Sequence, residues 1–169
     1  MKCLVFSDSH GSRASMRRVI AMHPDAEVIF FLGDGLSDAE DVAYGDISRA
    51  WIAVKGNCDG SAVFMSSTVL AVDSITLLGH KIVLTHGHYY GAKAGLDGLI
   101  SLAEREGADI VLFGHTHIPC EKYLSDYEKP IRLYNPGSIA FDYESFGVLD
   151  LFLDKEPIFS VGTLRRSNN

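Results

Sequence analysis

The 169-residue sequence predicts an α/β fold in which two mixed sheets pack face to face and helices cover the outside. Three observations predict it: apolar runs end abruptly in polar residues, segments of helical spacing separate several of them, and the C-terminal third alternates strand-like pieces with turns. With 47% hydrophobic residues, the chain can bury a continuous core. No repeat or linker-like segment interrupts it, so we expect one domain over residues 1–169.

Five continuous apolar runs predict the central strands. Their residues are mostly branched or aromatic and do not alternate with polar ones, which is typical of strands buried on both faces. Each run gives way within a few residues to Asp, His or Asn, and glycine adjoins every one of these polar segments. The runs are Cys3–Phe6, Val28–Leu32, Trp51–Val54, Lys81–Leu84 and Ile110–Phe113.

Three segments between the runs predict helices. The first spans Ser12–Met22 with Ser12 as a suitable N-cap, and a shorter one spans Leu36–Tyr44. The third spans Lys93–Glu106, where apolar residues recur at helical spacing before Gly107, a typical C-cap. Short strands joined by tight turns are predicted over Thr68–Asp73, Ile75–Gly79 and Lys81–Thr85, and more strands from Cys120 onward.

Composition narrows the classes of function. A net charge of -7 argues against a stable nucleic-acid complex, because polyanion binding usually needs a basic face. The three cysteines show no paired spacing, which indicates a reducing compartment rather than a disulfide framework. The apolar run at the N-terminus is too short for a signal sequence, and no stretch is long enough to span a membrane. We therefore expect a cytoplasmic, unanchored protein.

The polar groups that follow the strands predict a site for two metal ions. In open α/β sheets ligands bind at the carboxyl ends of strands, where these groups are expected to meet. Asp8 and His10, like His115 and His117, stand two residues apart, and in extended backbone both members of such a pair face the same side. Seven candidate ligands are too many for one ion and suit two that share a carboxylate. They are Asp8, His10, Asp34, Asn57, His86, His115 and His117.

The mixture of ligand types indicates which ions and which chemistry. Oxygen and imidazole ligands together suit Mn²⁺, Fe, Zn²⁺ or Ni²⁺, whereas Ca²⁺ and Mg²⁺ sites are usually all oxygen. Two ions about 3.5–4 Å apart can stabilise both the attacking and the leaving oxygen of a phosphoryl displacement. Each motif alone would be read as a capped loop or a turn. Their combination, each after an apolar run, favours a metal-dependent phosphoesterase.

Taken in order, these motifs resemble those of the calcineurin-like metallophosphoesterases. They are Asp8-Ser9-His10-Gly11, Gly33-Asp34, Gly56-Asn57-Cys58-Asp59, Thr85-His86-Gly87 and Gly114-His115-Thr116-His117. The short chain, the Asn-Cys-Asp variant and Asn135-Pro136-Gly137-Ser138 resemble the small YfcE-type phosphodiesterase branch. The resemblance covers most of the chain, and it implies a four-layer α/β/β/α sandwich.

The resemblance also implies how the ligands divide. One metal would be bound by Asp8, His10, Asp34 and His117, and the other by Asp34, Asn57, His86 and His115. Asp34 would bridge the two ions. A bridging hydroxide would attack phosphorus in line, which assigns catalytic roles to Asp34, Asn57 and His86. Manganese is the expected metal, with iron, zinc, nickel or magnesium as alternatives.

Three more residues are predicted to contact the substrate: Cys58, Asp59 and His88. Larger members of the family carry a histidine where Cys58 stands, and it is thought to help protonate the leaving oxygen. Because cysteine is a poor general acid, the resemblance implies a phosphodiester with a good leaving group. Alternatively, Cys58 is a small buried filler and Asp59 stabilises a turn. His88 could support the site without touching the substrate.

Two other functions compete with a phosphodiesterase acting on a small diester. One is a non-catalytic metal-binding scaffold resembling the vacuolar-sorting subunit, which shares the fold. The other is a phosphomonoesterase that uses the same site. The presence of all seven ligand residues favours an enzyme over the scaffold. Because family members often form dimers or higher oligomers, a homo-oligomer is also an expectation.

Overall fold

The computed structural model describes residues 1–60, 63–140 and 144–164, and in it the strands form two five-stranded sheets and a short hairpin. The first sheet has the order β12 (Ile158–Thr163), β11 (Ser145–Asp150), β1 (Lys2–Phe6), β2 (Val28–Phe31) and β3 (Ala50–Ala53). The second has the order β6 (Val72–Leu77), β7 (His80–Thr85), β8 (Ile110–Phe113), β10 (Ile131–Asn135) and β9 (Cys120–Leu124). The hairpin pairs β4 (Val63–Phe64) with β5 (Ser67–Thr68).

Three apolar clusters separate the four layers of an α/β/β/α sandwich, as predicted. Alternate residues of β1 enter different clusters, because side chains of a strand point to opposite faces in turn. Leu4 and Phe6 pack with the helices α1 (Arg13–Met22) and α2 (Leu36–Tyr44), whereas Val5 faces the second sheet. On the far side, the helix α3 (Asp97–Glu106) packs against β7, β8 and β10 of the second sheet.

The central strands run parallel, so the loops after them emerge at the same edge of each sheet. β1 pairs with β2 and β2 with β3 in parallel, and β7, β8 and β10 are parallel in the second sheet. All five apolar runs form strands, and four of them are largely buried as predicted. The exception is β3 at the edge of the first sheet, whose residues are exposed or half-buried, so the prediction that it is covered on both faces is wrong. No helix in the described residues is both long and apolar enough to cross a bilayer.

Several element boundaries differ from the prediction. α3 begins at Asp97 rather than Lys93, because residues 91–95 form a turn in which the N–H groups of Ala94 and Gly95 donate to the Gly91 carbonyl. Its C-cap Gly107 has φ 62°, as the sequence predicted. The strand predicted over 75–79 is part of β6, which begins at Val72 and ends before a turn at Leu78 and Gly79. Most of the strand predicted over 68–73 is absent, because residues 69–71 are not in a strand.

Candidate metal centre

The loops after the strands hold the predicted ligands in an unusual backbone conformation. Five of these residues have a positive φ: Asp8 (54°), His10 (40°), Asp34 (58°), His115 (66°) and His117 (59°). For residues other than glycine this region costs about 1–2 kcal/mol each, and such strain concentrates at functional sites. The premise that the paired ligands lie on extended backbone is therefore wrong, because both pairs sit in left-handed turns.

Two groups of potential metal ligands nevertheless form. Asp8, His10 and His117 make the first group, and Asp8, Asp34 and His86 the second; in each, the ligand atoms lie within 4.8 Å of one another. His117 Nε2 lies 3.1 Å from Asp8 Oδ1, and His86 Nε2 lies 3.3 Å from Asp34 Oδ2 and 3.8 Å from Asp8 Oδ1. Asp8 is common to both groups, whereas Asp34, the predicted bridge, belongs to the second.

The central atoms of these groups have unsatisfied lone pairs. Asp8 Oδ1 and His86 Nε2 are buried and have no hydrogen-bond partner among the described residues. His86 Nδ1 lies 2.7 Å from the Leu32 carbonyl oxygen, which only accepts, so Nδ1 carries a proton. When the ring is neutral, its lone pair is therefore at Nε2, the atom that faces the carboxylates. Two buried carboxylates that converge with an oriented imidazole, and that keep Asp8 Oδ1 and His86 Nε2 without hydrogen-bond partners in the described chain, fit divalent metal ions.

The electrostatics of the second group favour a cation. Burial alone would raise the pKa of Asp34, but the adjacent His86 and the Cys58 N–H, 2.7 Å from Oδ1, hold it well below its usual value. Burial alone would lower the pKa of His86, and the neighbouring Asp34 and Asp8 raise it above its usual value. The site is therefore built around an ionised carboxylate, and a bound cation would take over the charge compensation that His86 provides.

His115 and Asn57 lie at the margin of these groups. The His115 ring packs 5.0 Å from that of His86, and its backbone N–H donates to Asp8 Oδ2 at 3.1 Å. Asn57 is exposed, and its amide donates to Cys58 Sγ at 3.2 Å. Their predicted metal contacts stay predictions.

The three predicted substrate contacts have different surroundings. Cys58 is exposed rather than a buried filler, so that alternative is wrong. Asp59 accepts the N–H groups of Asp34, Gly35, Leu36 and Gly56 at 2.7–2.9 Å. Four such bonds occupy the lone pairs of its carboxylate, which matches the turn-stabilising alternative. His88 is half-buried, its Nδ1 has no partner within the described chain, and its ring lies 5.4 Å from that of His86.

A residue that the sequence did not single out, Asp38 of α2, holds the first ligand loop. It is 5% exposed, and its Oδ2 accepts from Ser9 Oγ at 2.8 Å and from the Gly11 N–H at 2.6 Å. Its Oδ1 accepts from Arg13 Nε at 2.9 Å. An acidic residue in the first turn of a helix is common on dipole grounds alone, so no sequence signal distinguishes this contact.

Other side chains hold the ligand loops in place, and one of them, Ser138, links loops of the two sheets. Ser138 Oγ donates to the Asp8 carbonyl at 2.8 Å, and Asn135 Nδ2 donates to the Gly114 carbonyl at 2.9 Å. Ser7 Oγ donates to Asp8 Oδ2 at 2.5 Å. Asn135 and Ser138, at the two ends of this turn, therefore lie near the site and hold the loops that carry the ligands.

Comparisons with protein families and known structures identify relatives of this chain. The calcineurin-like phosphoesterase superfamily domain matches residues 1–152. The probable metallophosphoesterase YsnB of Bacillus subtilis is 34% identical over 155 residues, covering 89% of this chain and 85% of that protein. The phosphodiesterase YfcE of Escherichia coli is 27% identical over 172 residues, covering 89% and 88%. The structure of that phosphoesterase superposes with a TM-score of 0.64 at 24% identity, over 89% and 88% of the two chains.

The fold is also found in Vps29, a protein whose name does not describe it as a phosphoesterase. Vps29 of Entamoeba histolytica, solved with Zn²⁺, superposes with a TM-score of 0.70 over 96% of this chain and 99% of its own. At 19% identity this likeness concerns the fold alone. The match over residues 1–152 and the identity to YsnB decide the family. The chain belongs to the calcineurin-like phosphoesterase superfamily.

Proposed function

We propose that the protein is a metal-dependent phosphodiesterase acting on a small phosphodiester. The observation that carries the proposal is the pair of ligand groups around Asp8, whose buried Oδ1 lacks a hydrogen-bond partner in the described chain. The similarity to YfcE, which is named a phosphodiesterase, supports the diester over other phosphoryl compounds.

The chain's own residues would bind the metals and orient the substrate. Asp8, His10, Asp34 and His117 would hold one ion, and Asp34, Asn57, His86 and His115 the other, so that both ions would share Asp34. Two divalent ions supply a hydroxide nucleophile at neutral pH and neutralise charge on the phosphate. Manganese is the proposed metal, because carboxylate and imidazole ligands together suit it.

The protein's contribution beyond binding metal is a fixed arrangement of charges. The Leu32 carbonyl fixes the tautomer of His86, and the Asp59 carboxylate holds the backbone around Asp34. Such bonds keep the ligands in place before the substrate arrives, so little reorganisation is needed during the reaction. A cavity of about 560 Å³ is lined by His10, Asp34 and Cys58, which gives a small substrate direct access to the ligands.

The scaffold alternative has one observation in its favour, the likeness of fold to Vps29. Fold alone does not decide between a site that binds metal and one that also turns over a substrate. The retained ligands and the cavity against them favour the enzyme. A phosphomonoesterase would use the same groups, so only a comparison of diester and monoester substrates distinguishes it from a phosphodiesterase.

The test is hydrolysis of bis(p-nitrophenyl) phosphate by chelator-stripped protein, with and without added Mn²⁺. We expect activity only with metal, and less on the monoester p-nitrophenyl phosphate. Asp34→Asn is the inactive control. A preference for the monoester would replace the diesterase with a phosphomonoesterase. Full metal occupancy with neither substrate cleaved would favour the scaffold.

A further inference from the structure

Two cavities of similar size adjoin the loops that carry the ligands. The first, of about 560 Å³, is lined by His10, Asp34 and Cys58 and by the carboxylates of Asp38 and Glu40. The second, of about 580 Å³, lies against Thr116, the residue between His115 and His117. The two differ in charge, since the carboxylates of Asp34, Asp38, Glu40 and Asp59 line the first cavity and no carboxylate lines the second.

The second cavity is an apolar groove with one cation. We define the apolar groove by Ala92, Lys93, Leu96, Phe113, Ile118 and Pro119. Phe113 and Ala92 form a buried floor, and Ile118, directly after His117, leaves 69% of its surface exposed. One exposed apolar side chain is ordinary, but here it extends a concave apolar wall that begins beside the metal ligands.

Lys93 is the only charged residue of the groove. Its ammonium forms no hydrogen bond or ion pair with any residue in 1–60, 63–140 or 144–164. It lines the same cavity as Thr116, which stands between the predicted ligands His115 and His117. An unpaired cation between a metal centre and an apolar wall complements a ligand with an anionic head and an apolar tail.

We propose that the apolar groove binds an apolar alkyl or aryl ester arm of the phosphodiester. Lys93 attracts the phosphate of this substrate, and the first cavity, lined by His10, Asp34 and Cys58, receives the second ester arm. This inference rests on the proposed function, because it places the phosphate at the metal centre. It narrows the substrate class to asymmetric diesters with one apolar and one polar alcohol. The volume of the groove falls within the range of small-molecule sites, which matches an ester arm.

The experiment measures binding rather than turnover, so it separates the two proposals. Methyl, butyl and hexyl phosphate are titrated calorimetrically into Mn²⁺-loaded protein. We expect the affinity to rise about two- to fourfold for each added methylene, since burying one is worth up to about 0.8 kcal/mol. Ile118→Ser should flatten this dependence on chain length while leaving methyl phosphate binding unchanged. Lys93→Gln should weaken all three ligands by the same factor.

The matched control is Leu153→Ser, because Leu153 is also 69% exposed but does not line the groove. It should keep the wild-type dependence on chain length. Equal affinities for methyl and hexyl phosphate in the wild type would overturn the groove while leaving the phosphate site intact. If none of the three binds to fully metal-loaded protein, the phosphate site itself is wrong, and the proposed function fails with the groove.

Discussion

Replacing Asp38 by Asn tests whether the first ligand group depends on a residue that binds no metal. Asp38 Oδ2 accepts two bonds from the ligand loop, from Ser9 Oγ and the Gly11 N–H, and the side chain is 5% exposed. In the variant an amide N–H₂ faces the loop if the remaining oxygen keeps its bond to Arg13. The Gly11 N–H then loses its acceptor, whereas the Ser9 hydroxyl can turn to accept from the amide and loses only its bond to a charged group. A hydrogen bond to a charged group is worth about 1.5–3 kcal/mol, so we expect a loss of up to about 3 kcal/mol.

The backbone of the same loop makes this loss matter. Asp8 and His10 have φ of 54° and 40°, and two such residues together cost about 2–4 kcal/mol. The lost stabilisation is therefore comparable to the strain that these bonds hold in place. Without it, the loop can relax and withdraw Asp8 and His10 from the metal.

Calorimetric titration of chelator-stripped protein with Mn²⁺ measures the consequence. We expect affinity at the site containing His10 to fall by up to about 100-fold, the equivalent of about 3 kcal/mol, with far-UV circular dichroism unchanged. The control is Asp41→Asn, on the same helix, whose exposed carboxylate contacts Arg17 at 2.7 Å and lies 3.8 Å from Arg13 but accepts no bond from Ser9 or Gly11. A folded Asp38→Asn protein with wild-type Mn²⁺ affinity would refute the reasoning, because the loop would then hold its shape without these bonds.

Three further changes probe other parts of the site. Asp34→Asn should abolish turnover and lower Mn²⁺ occupancy, measured by elemental analysis; near-normal turnover with metal bound would contradict its role as the bridge. Gly33→Ala should lower the urea midpoint of unfolding by the equivalent of about 1–3 kcal/mol, because Gly33 has φ 94° and a Cβ there would overlap the backbone of Gly56. An unchanged midpoint would show that the turn relaxes. Cys58→Ser should change kcat on bis(p-nitrophenyl) phosphate less than threefold, because the thiol is exposed and the hydrogen bond to Asp34 raises its pKa. A severe loss of kcat would indicate a catalytic thiol.

The sheets could be predicted because their cause is local in sequence. Runs such as Val28–Phe31 have no polar position, so only a strand covered on both faces can bury them. Parallel strands then bring the residues after them to one edge, which is why Asp8, Asp34 and His86 could be assigned to one site. The boundary of α3 could not be predicted, because glycines in a turn decided it and the apolar spacing extended past them.

What sequence could not predict is how the ligands are held. The left-handed backbone at Asp8 and His117 is uncommon for residues other than glycine, and no local pattern around these two residues predicts it. The contact of Asp38 with Gly11 joins residues 27 positions apart, and nothing in either segment indicates it. Local patterns therefore identify the groups that do the chemistry, whereas long-range contacts set their geometry.

These contacts also explain how two separate sheets produce one site. Asp8 follows a strand of the first sheet, and His86 and His117 follow strands of the second, so the site exists only where the sheets meet. Packing of apolar side chains alone would allow the sheets to shift, since it has little directional preference. Hydrogen bonds between described residues connect the two sheets at this edge, among them those donated by His86 Nδ1, the His115 N–H, Ser138 Oγ and the Ile139 N–H. Hydrogen bonds are directional, so they fix the relative position of the two loops where the apolar core cannot.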